Sequence, residues 1–370
     1  MGNNALATKP HYPILDGLRG VAALIVVTFH LTEPLGTGHL DILVNHGYLA
    51  VDFFFLLSGF VIGYAYDDRW HKMTIGTFFK RRIERLQPMV ILGMTLGAIG
   101  FYFTDSTIWP LIHTVPLWQM LLVMLIGYTI LPVPLSMDIR GWQEMHPLNS
   151  VGWSLFFEYI ANILYAIGIR KFSKTALGIL VLLSAVLLAH LAITSPNGDV
   201  SGGWTLNVEQ LRVGFTRMMF PFFAGLLLSR MAKPSMLKNA FLWCSLLLAI
   251  ALYMPRIGGA EQVWLNGVYE SIVIILVFPL VVYLGTSSSA QGKTAHKICR
   301  FLGDISYPLY LVHYPLVYFY VAWISNHKGV TIVQAWPYAL LILIGSILLA
   351  YMALKWYDEP VRKWLRCKWG

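Results

Sequence analysis

An intramembrane histidine on the same helix face as an arginine can serve proton transfer along a buried path. The segment ILDGLRGVAALIVVTFH, residues 14–30, has that pattern. Its middle is apolar, but Asp16 and Arg19 stand near one end and His30 at the other. Arg19 and His30 are eleven residues apart, which is about 20° past three helical turns and roughly 16 Å of rise, so both project from one face. Asp16, three residues before Arg19, can pair with it. A stripe of this kind belongs against a polar cavity, because an ionisable group facing lipid is costly. The plainer reading is that Asp16–Arg19 anchors the helix among headgroups and His30 sits at the opposite interface, and these residues alone leave it open.

Other apolar runs carry similar interruptions. GYLAVDFFFLLSGFVIGYAY, residues 47–66, holds Asp52 and the Ser58-Gly59-Phe60 triplet; small residues there also let helices approach closely. FFKRRIERLQP, residues 78–88, places Arg82 and Arg85 three apart on one helical face. Such a pair suits a phosphate-bearing ligand, since guanidinium forks match phosphate geometry. The plainer reading is a basic collar, which suffices for Lys80 and Arg81. VGWSLFFEYIANILY, residues 151–165, opens with Trp153 and carries Glu158 inside the run, where a carboxylate must pair or be protonated. In FLGDISYPLYLVHYPL, residues 301–316, Tyr310, His313 and Tyr314 share a face with Val317. Pro315 cannot donate to Leu311, so the backbone is freed beside His313, as happens where membrane helices line cavities. Arg217 and Glu270 rank lower, as residues that pair helices. His190 reads as interfacial.

The elements that must position these residues are membrane helices. Of 370 residues, 57% are hydrophobic and 12% charged, about half the charge of a soluble domain. Eleven apolar runs recur at 14–31, 47–66, 88–104, 117–131, 151–169, 175–194, 214–229, 239–254, 267–285, 304–324 and 334–356, each long enough or nearly so to cross a bilayer. The net charge of +9 falls in short clusters between the runs, which is the positive-inside pattern and not a nucleic-acid surface. All clusters lie on one side only if 117–131 does not cross. The sequence therefore predicts an all-α polytopic bundle of about ten transmembrane helices with both termini cytoplasmic, and a re-entrant or interfacial helix at 117–131. The alternative is that this run crosses and one cluster is misplaced. Residues 1–13 read as a cytoplasmic segment without a signal-peptide pattern, 14–356 as the membrane domain and 357–370 as a basic cytoplasmic tail. SSSAQGK, residues 287–293, is the one low-complexity tract. Cys244, Cys299 and Cys367 have no metal-ligand spacing, and no disulfide or metal site is expected.

Taken together, LDGLRG with a following His, DFFFLLSGF, RRIERLQP, WSLFFE and LGDISYPLYLVHYP resemble the motifs of the acyltransferase 3 family, integral membrane O-acyltransferases, in the family's order and over nearly the whole chain. The resemblance implies about ten membrane helices and transfer of an acyl group, usually acetyl, from cytoplasmic acyl-CoA to the hydroxyl of a glycan or similar acceptor. It implies a place in a bacterial inner (plasma) membrane, with membrane lipids, acyl-CoA and a cell-surface or lipid-linked glycan as partners. The hydrolase-like outer domain that some members carry is not expected here. Residue by residue, it assigns Arg19 and His30 to the family's arginine–histidine pair, with His30 catalytic. Ser58, Gly59 and Phe60 fall beside the acyl path, Arg82 and Arg85 match the Arg-x-x-Arg element associated with acyl-CoA, and Glu158 matches the glutamate after Trp-Ser-Leu. Many relatives carry two glutamates there; this chain has Glu158-Tyr159, so a second carboxylate that orients the base must come from elsewhere.

The mechanism this implies keeps the coenzyme A nucleotide near Arg82 and Arg85, with its pantetheine arm passing Ser58 and Gly59. His30 acts as general base on the acceptor hydroxyl, with Glu158 or another acid orienting it; a covalent acyl-histidine is a variant. Asp16, Trp153, Tyr310 and His313 are expected to contact substrate, and Trp142 or Trp153 to stack on a sugar ring. A rival class is a transporter or channel, whose buried charges and broken helices look alike. Against it stand the lack of repeat symmetry and a basic mouth on one side only. A scaffold without chemistry leaves the intramembrane His and Glu unexplained.

Overall fold

The computed structural model describes residues 9, 11–38, 40–231, 233–287 and 292–369. Most of the expected N-terminal segment, and residues 288–291 of the low-complexity tract, lie outside them. Every one of the apolar runs is helical. The helices are α1 (Pro13–Thr32), α2 (Ala50–Tyr66), α3 (Ile75–Gly100), α4 (Leu117–Tyr128), α5 (Gly152–Ile167), α6 (Lys174–Thr194) and α7 (Val208–Met231). They continue with α8 (Ala240–Tyr253), α9 (Trp264–Ile272), α10 (Phe278–Gly285), α11 (Lys293–Asn326), α12 (Ile332–Ala353) and α13 (Glu359–Trp369). A π-helical turn, Val273–Val277, joins α9 to α10, and another, Leu354–Asp358, joins α12 to α13.

Among the described residues, seven stretches are long and apolar enough to cross a membrane: those built on α1, α2, α3, α6, α7, α9–α10 and α12. The remaining helices of the bundle miss that criterion for different reasons. Helix α8 has 14 residues and α5 has 16, whereas α11 has 34 but is charged in its first half, is rich in tyrosine in its second, and contains two prolines and His313. Helix α4, at the run suspected of not crossing, has 12 residues, about 18 Å of rise against a hydrocarbon core of about 30 Å.

The most extensive pairings are α1 with α11 and α2 with α7. Both depend on glycine. A Cβ on Gly20 would collide with the Leu302 carbonyl of α11, and one on Gly59 with the Phe222 carbonyl of α7. Lipid tails are as apolar as leucine, so close backbone approach and van der Waals contact hold such helices together in place of the hydrophobic effect. The four helices form the centre: 67% of the apolar window of α1 is buried, against 28% for α6 and 22% for α12. Asp16, Arg19, His30, Asp52, Arg217 and His313 all belong to these four helices.

Candidate active site

Three cavities follow one another through this centre. The first lies at the N-terminal end of α1. It encloses about 700 Å³ and is lined by Asp16, Arg19 and Arg85, by the start of α11 and by the π turn and α13. The second is narrow, about 90 Å³, and is lined by Arg19, Ser58, Arg82, Arg85, Glu158, Tyr307 and Tyr310 among others. The third encloses about 480 Å³ at the C-terminal end of α1, where His30, Glu33 and Glu144 meet a wall of tryptophans and tyrosines. Arg19, Arg85 and Tyr307 line both the first and the second cavity. Val51 and Tyr310 line both the second and the third.

The α1 stripe runs along this series, as its helical spacing predicts. Arg19 pairs with Asp16 at 3.2 Å. It also donates from Nε to Ser306 Oγ at 2.8 Å and from Nη2 to the Gly303 carbonyl at 3.2 Å, which ties α1 to α11. Asp16 is shared with His11 at 2.7 Å.

In the second cavity Arg82 and Glu158 form a 2.5 Å ion pair. The Ser58 hydroxyl donates to the same carboxylate oxygen at 3.0 Å. Arg82 is buried, and its Nε has no partner among the described residues. Arg85, one turn away, lines the cavity without a described ion-pair partner.

At the other end, His30 Nδ1 lies 3.2 Å from Glu33 Oε2. A carboxylate accepts only, so Nδ1 carries the proton and Nε2 is left as the basic nitrogen. The His30 ring packs edge-on against Tyr314, with centroids 4.8 Å apart, and stacks on His313 at 5.7 Å.

The rest of the third cavity is built from loops. Glu144 bridges to Thr205, and Met145 donates to the Trp204 carbonyl at 2.7 Å. Gly203, at φ +104°, brings the chain against the Trp153 ring where a Cβ would crowd it. Tyr318 donates to Glu144 Oε2 at 3.1 Å, and burial pushes the Glu144 carboxyl above its ordinary range. Arg217 closes the floor. It is paired with Asp52 at 2.6 Å, donates to the carbonyls of Tyr48 and Gly202, and sits over the Trp153 ring at 5.0 Å. Trp109, Trp142, Trp153 and Trp204 all line the space.

Several expectations change. Glu158 does not reach His30; it is engaged by Arg82 and Ser58 in the neighbouring cavity, and Glu33 is the carboxylate that contacts the histidine. Helical spacing offered the signal, since residues three apart are neighbours on a helix surface. Tyr159, which follows Glu158, turns toward α3 and donates to Gln87 Oε1 at 2.9 Å. Of the Ser58-Gly59-Phe60 triplet, Ser58 alone lines one of these three cavities; Gly59 serves the α2–α7 approach and Phe60 packs on Tyr12 and Tyr64.

His313 is not a wall residue either. It is fully buried behind His30, with Nδ1 donating to the Leu309 carbonyl at 3.0 Å and Nε2 without a partner among the described residues. The carbonyl freed by Pro315 is used: Asn149 Nδ2 donates to Leu311 O at 2.8 Å, pinning the 144–151 loop to α11. Trp142, Trp153 and Tyr310 line the third cavity, and Asp16 lines the first. No group of side chains that could hold a metal ion occurs among the described residues.

Comparison with known proteins gives these cavities a context. The profile of a family described as an acyltransferase domain matches residues 12–355. "Protein 2 in picA locus" of Rhizobium radiobacter is 34% identical over 187 residues, which are 48% of this chain and 94% of that protein. The O-acetyltransferase OatA of Staphylococcus aureus strain NCTC 8325 is 24% identical over 96% of this chain and 58% of its own length. The peptidoglycan O-acetyltransferase OatA of Listeria monocytogenes is 24% identical over 96% of this chain and 56% of its own. The chain thus spans little more than half of these two relatives. No solved structure matches.

Proposed function

The chain belongs to the acyltransferase 3 family, and we propose that it carries an acetyl group from cytoplasmic acetyl-CoA through the bundle to a glycan hydroxyl on the outer side. The observation that carries this reading is the succession of three adjoining cavities that share lining residues, from a basic end at Arg19 and Arg85 to a tryptophan-lined end at His30. Coenzyme A is polyanionic and stays at the cytoplasmic mouth, whereas its pantetheine arm is thin and suits a narrow second cavity. The aromatic third cavity suits a sugar ring, which presents apolar C–H faces to tryptophan. The positive-inside pattern supports ten crossings with both termini inside, α5, α8 and α11 among them, and α4 on the outer face.

In this reading His30 Nε2 takes the proton of the acceptor hydroxyl while Glu33 holds the ring and stabilises the imidazolium. The hydroxyl oxygen attacks the thioester carbonyl; the C–O bond forms, the C–S bond breaks, and the proton passes from His30 to the departing sulfur. Arg82 and Glu158 neutralise each other along the donor path, so the acyl arm passes a charge-balanced wall. The Tyr310 hydroxyl, 2.7 Å from Ser154 Oγ, stands where the second cavity gives way to the third and limits access between them.

The test is turnover. Purified protein in liposomes is given acetyl-CoA and a polysaccharide acceptor, and acetyl ester and free CoA are measured for the wild type and for His30→Ala. Ester formation that requires His30 supports the reading. Solute flux without CoA release would mean a transporter and defeat it.

A further inference from the structure

The largest of the three cavities has a wall that the arginine pair of α3 does not supply. Arg82 is turned inward to Glu158. The first cavity is instead enclosed by the N-terminal turns of α11 and by α13, the helix formed by the last residues of the chain. The π turn Leu354–Asp358 interrupts the α12–α13 helix at this wall. Such single-turn insertions re-aim the residues that follow and are frequent at functional sites. Here Arg362, Lys363 and Arg366 all line the cavity.

Their partners leave capacity unused. Arg362 donates from Nη1 to Asp358 at 3.2 Å, but its Nε and the other Asp358 oxygen are buried without partners among the described residues. Arg366 pairs with Glu84 of α3, which closes α13 over the mouth. Arg300 lies 4.0 Å from Asp304 and is mostly exposed. Lys363 has no described ion-pair partner. The volume, about 700 Å³, lies in the range of about 300–1,000 Å³ typical of small-molecule sites.

We propose that this mouth is a phosphate-binding site in which α13 and the start of α11 hold the nucleotide of the acyl donor, with Arg85 at the junction guiding the pantetheine into the second cavity. This deepens the donor reading above and rests on it. The C-terminal segment then serves as one wall of the donor site and not only as a topogenic tail. A guanidinium with a free Nε edge beside a second arginine and a lysine matches a pyrophosphate with a further phosphate nearby. Asp358 and Glu359 offset only part of the basic charge of the mouth, and Glu359 is itself held by Lys355 at 2.5 Å.

The experiment compares two donors, acetyl-CoA and S-acetylpantetheine, the second lacking the nucleotide. Wild-type protein is expected to prefer acetyl-CoA in kcat/KM. Arg362→Gln with Arg366→Gln should lower that preference by about ten-fold or more, because each lost charge-assisted hydrogen bond is worth at least roughly that factor, and the loss should fall on KM. The exposed Lys363→Glu change breaks no described pair, so it provides a variant that keeps its fold, and it should move the preference the same way. Adenosine 3′,5′-bisphosphate should compete with acetyl-CoA in the wild type and weakly in the variants. Vesicles of anionic phospholipid are the control for a headgroup site: if they displace the nucleotide analogue and the donor preference is unchanged in both variants, the proposal is overturned. Failure of the wild type to use either donor would instead defeat the donor reading itself.

Discussion

Two of the histidine–carboxylate pairs among the described residues, His30–Glu33 and His46–Glu270, are of nearly equal length but lie in different surroundings. His30 and Glu33 are three residues apart on one helix end, 3.2 Å from each other, and both face the aromatic cavity. His46 and Glu270 are separated by 224 residues, 3.0 Å apart, and both fully buried. Glu270 is saturated: Tyr48 also donates to its Oε1 and the Val200 backbone to its Oε2. The second pair therefore clamps the start of α2 to α9 and to the loop before α7. His46 Nε2 is also without a partner among the described residues, but it is enclosed, whereas His30 faces a cavity. Type and distance are alike; what the rest of the carboxylate is doing, and whether the ring faces a cavity, separate the pair proposed to react from the one that clamps helices.

The sharpest way to break this comparison is to remove each histidine. His30→Ala should lower acetyl transfer by about 10²–10⁴, the usual weight of a general base, with normal expression and thermal stability. His46→Ala should do the reverse. Glu270 keeps its bonds from Tyr48 and Val200, so the loss is one buried hydrogen bond to a carboxylate, about 1.5–3 kcal/mol, and thermal unfolding in detergent should shift down while the folded fraction keeps its turnover. Equal losses of turnover in the two variants would erase the distinction.

Next in size is the choice of carboxylate. Glu33→Gln should lower kcat by about ten-fold to a hundred-fold, the value of a hydrogen bond to a charged group, with little change in donor KM. Glu158→Gln should act on the donor side, raising the KM for acetyl-CoA, because it unpairs Arg82 in the narrow cavity. If Glu158→Gln changes kcat alone and Glu33→Gln changes nothing, the pairing seen here is not the working one. The smallest expected effect is at Asn149, whose amide caps the carbonyl that Pro315 frees. Asn149→Ala should cost about 1–3 kcal/mol in stability and loosen the loop before α5, seen as faster proteolysis between residues 129 and 151.

The sequence made the helices legible, because apolar length and the 3.6-residue period act locally. It also made the α1 stripe legible, and the Arg82 and Glu158 positions as buried charges. It did not reveal that these two charges pair with each other, or that Asp52 pairs with Arg217 across 165 positions, because partners from distant helices leave no spacing signal. Glu33 was legible in principle, three residues after His30, but it lies past the apolar run and so outside the pattern that selected the other candidates. The wall formed by α13 depends on a π turn, and nothing in the residues Leu354–Asp358 distinguishes that turn from ordinary helix.

The central claim is that one continuous path connects the basic mouth to the His30 cavity. Proteoliposomes of uniform orientation, with acceptor sealed on the side of the His30 cavity and radiolabelled acetyl-CoA added only on the side of Arg85 and α13, test it directly. The account predicts labelled acceptor in the sealed compartment and CoA released on the side of addition, both lost in His30→Ala. Label that appears only when donor and acceptor share a compartment would contradict it.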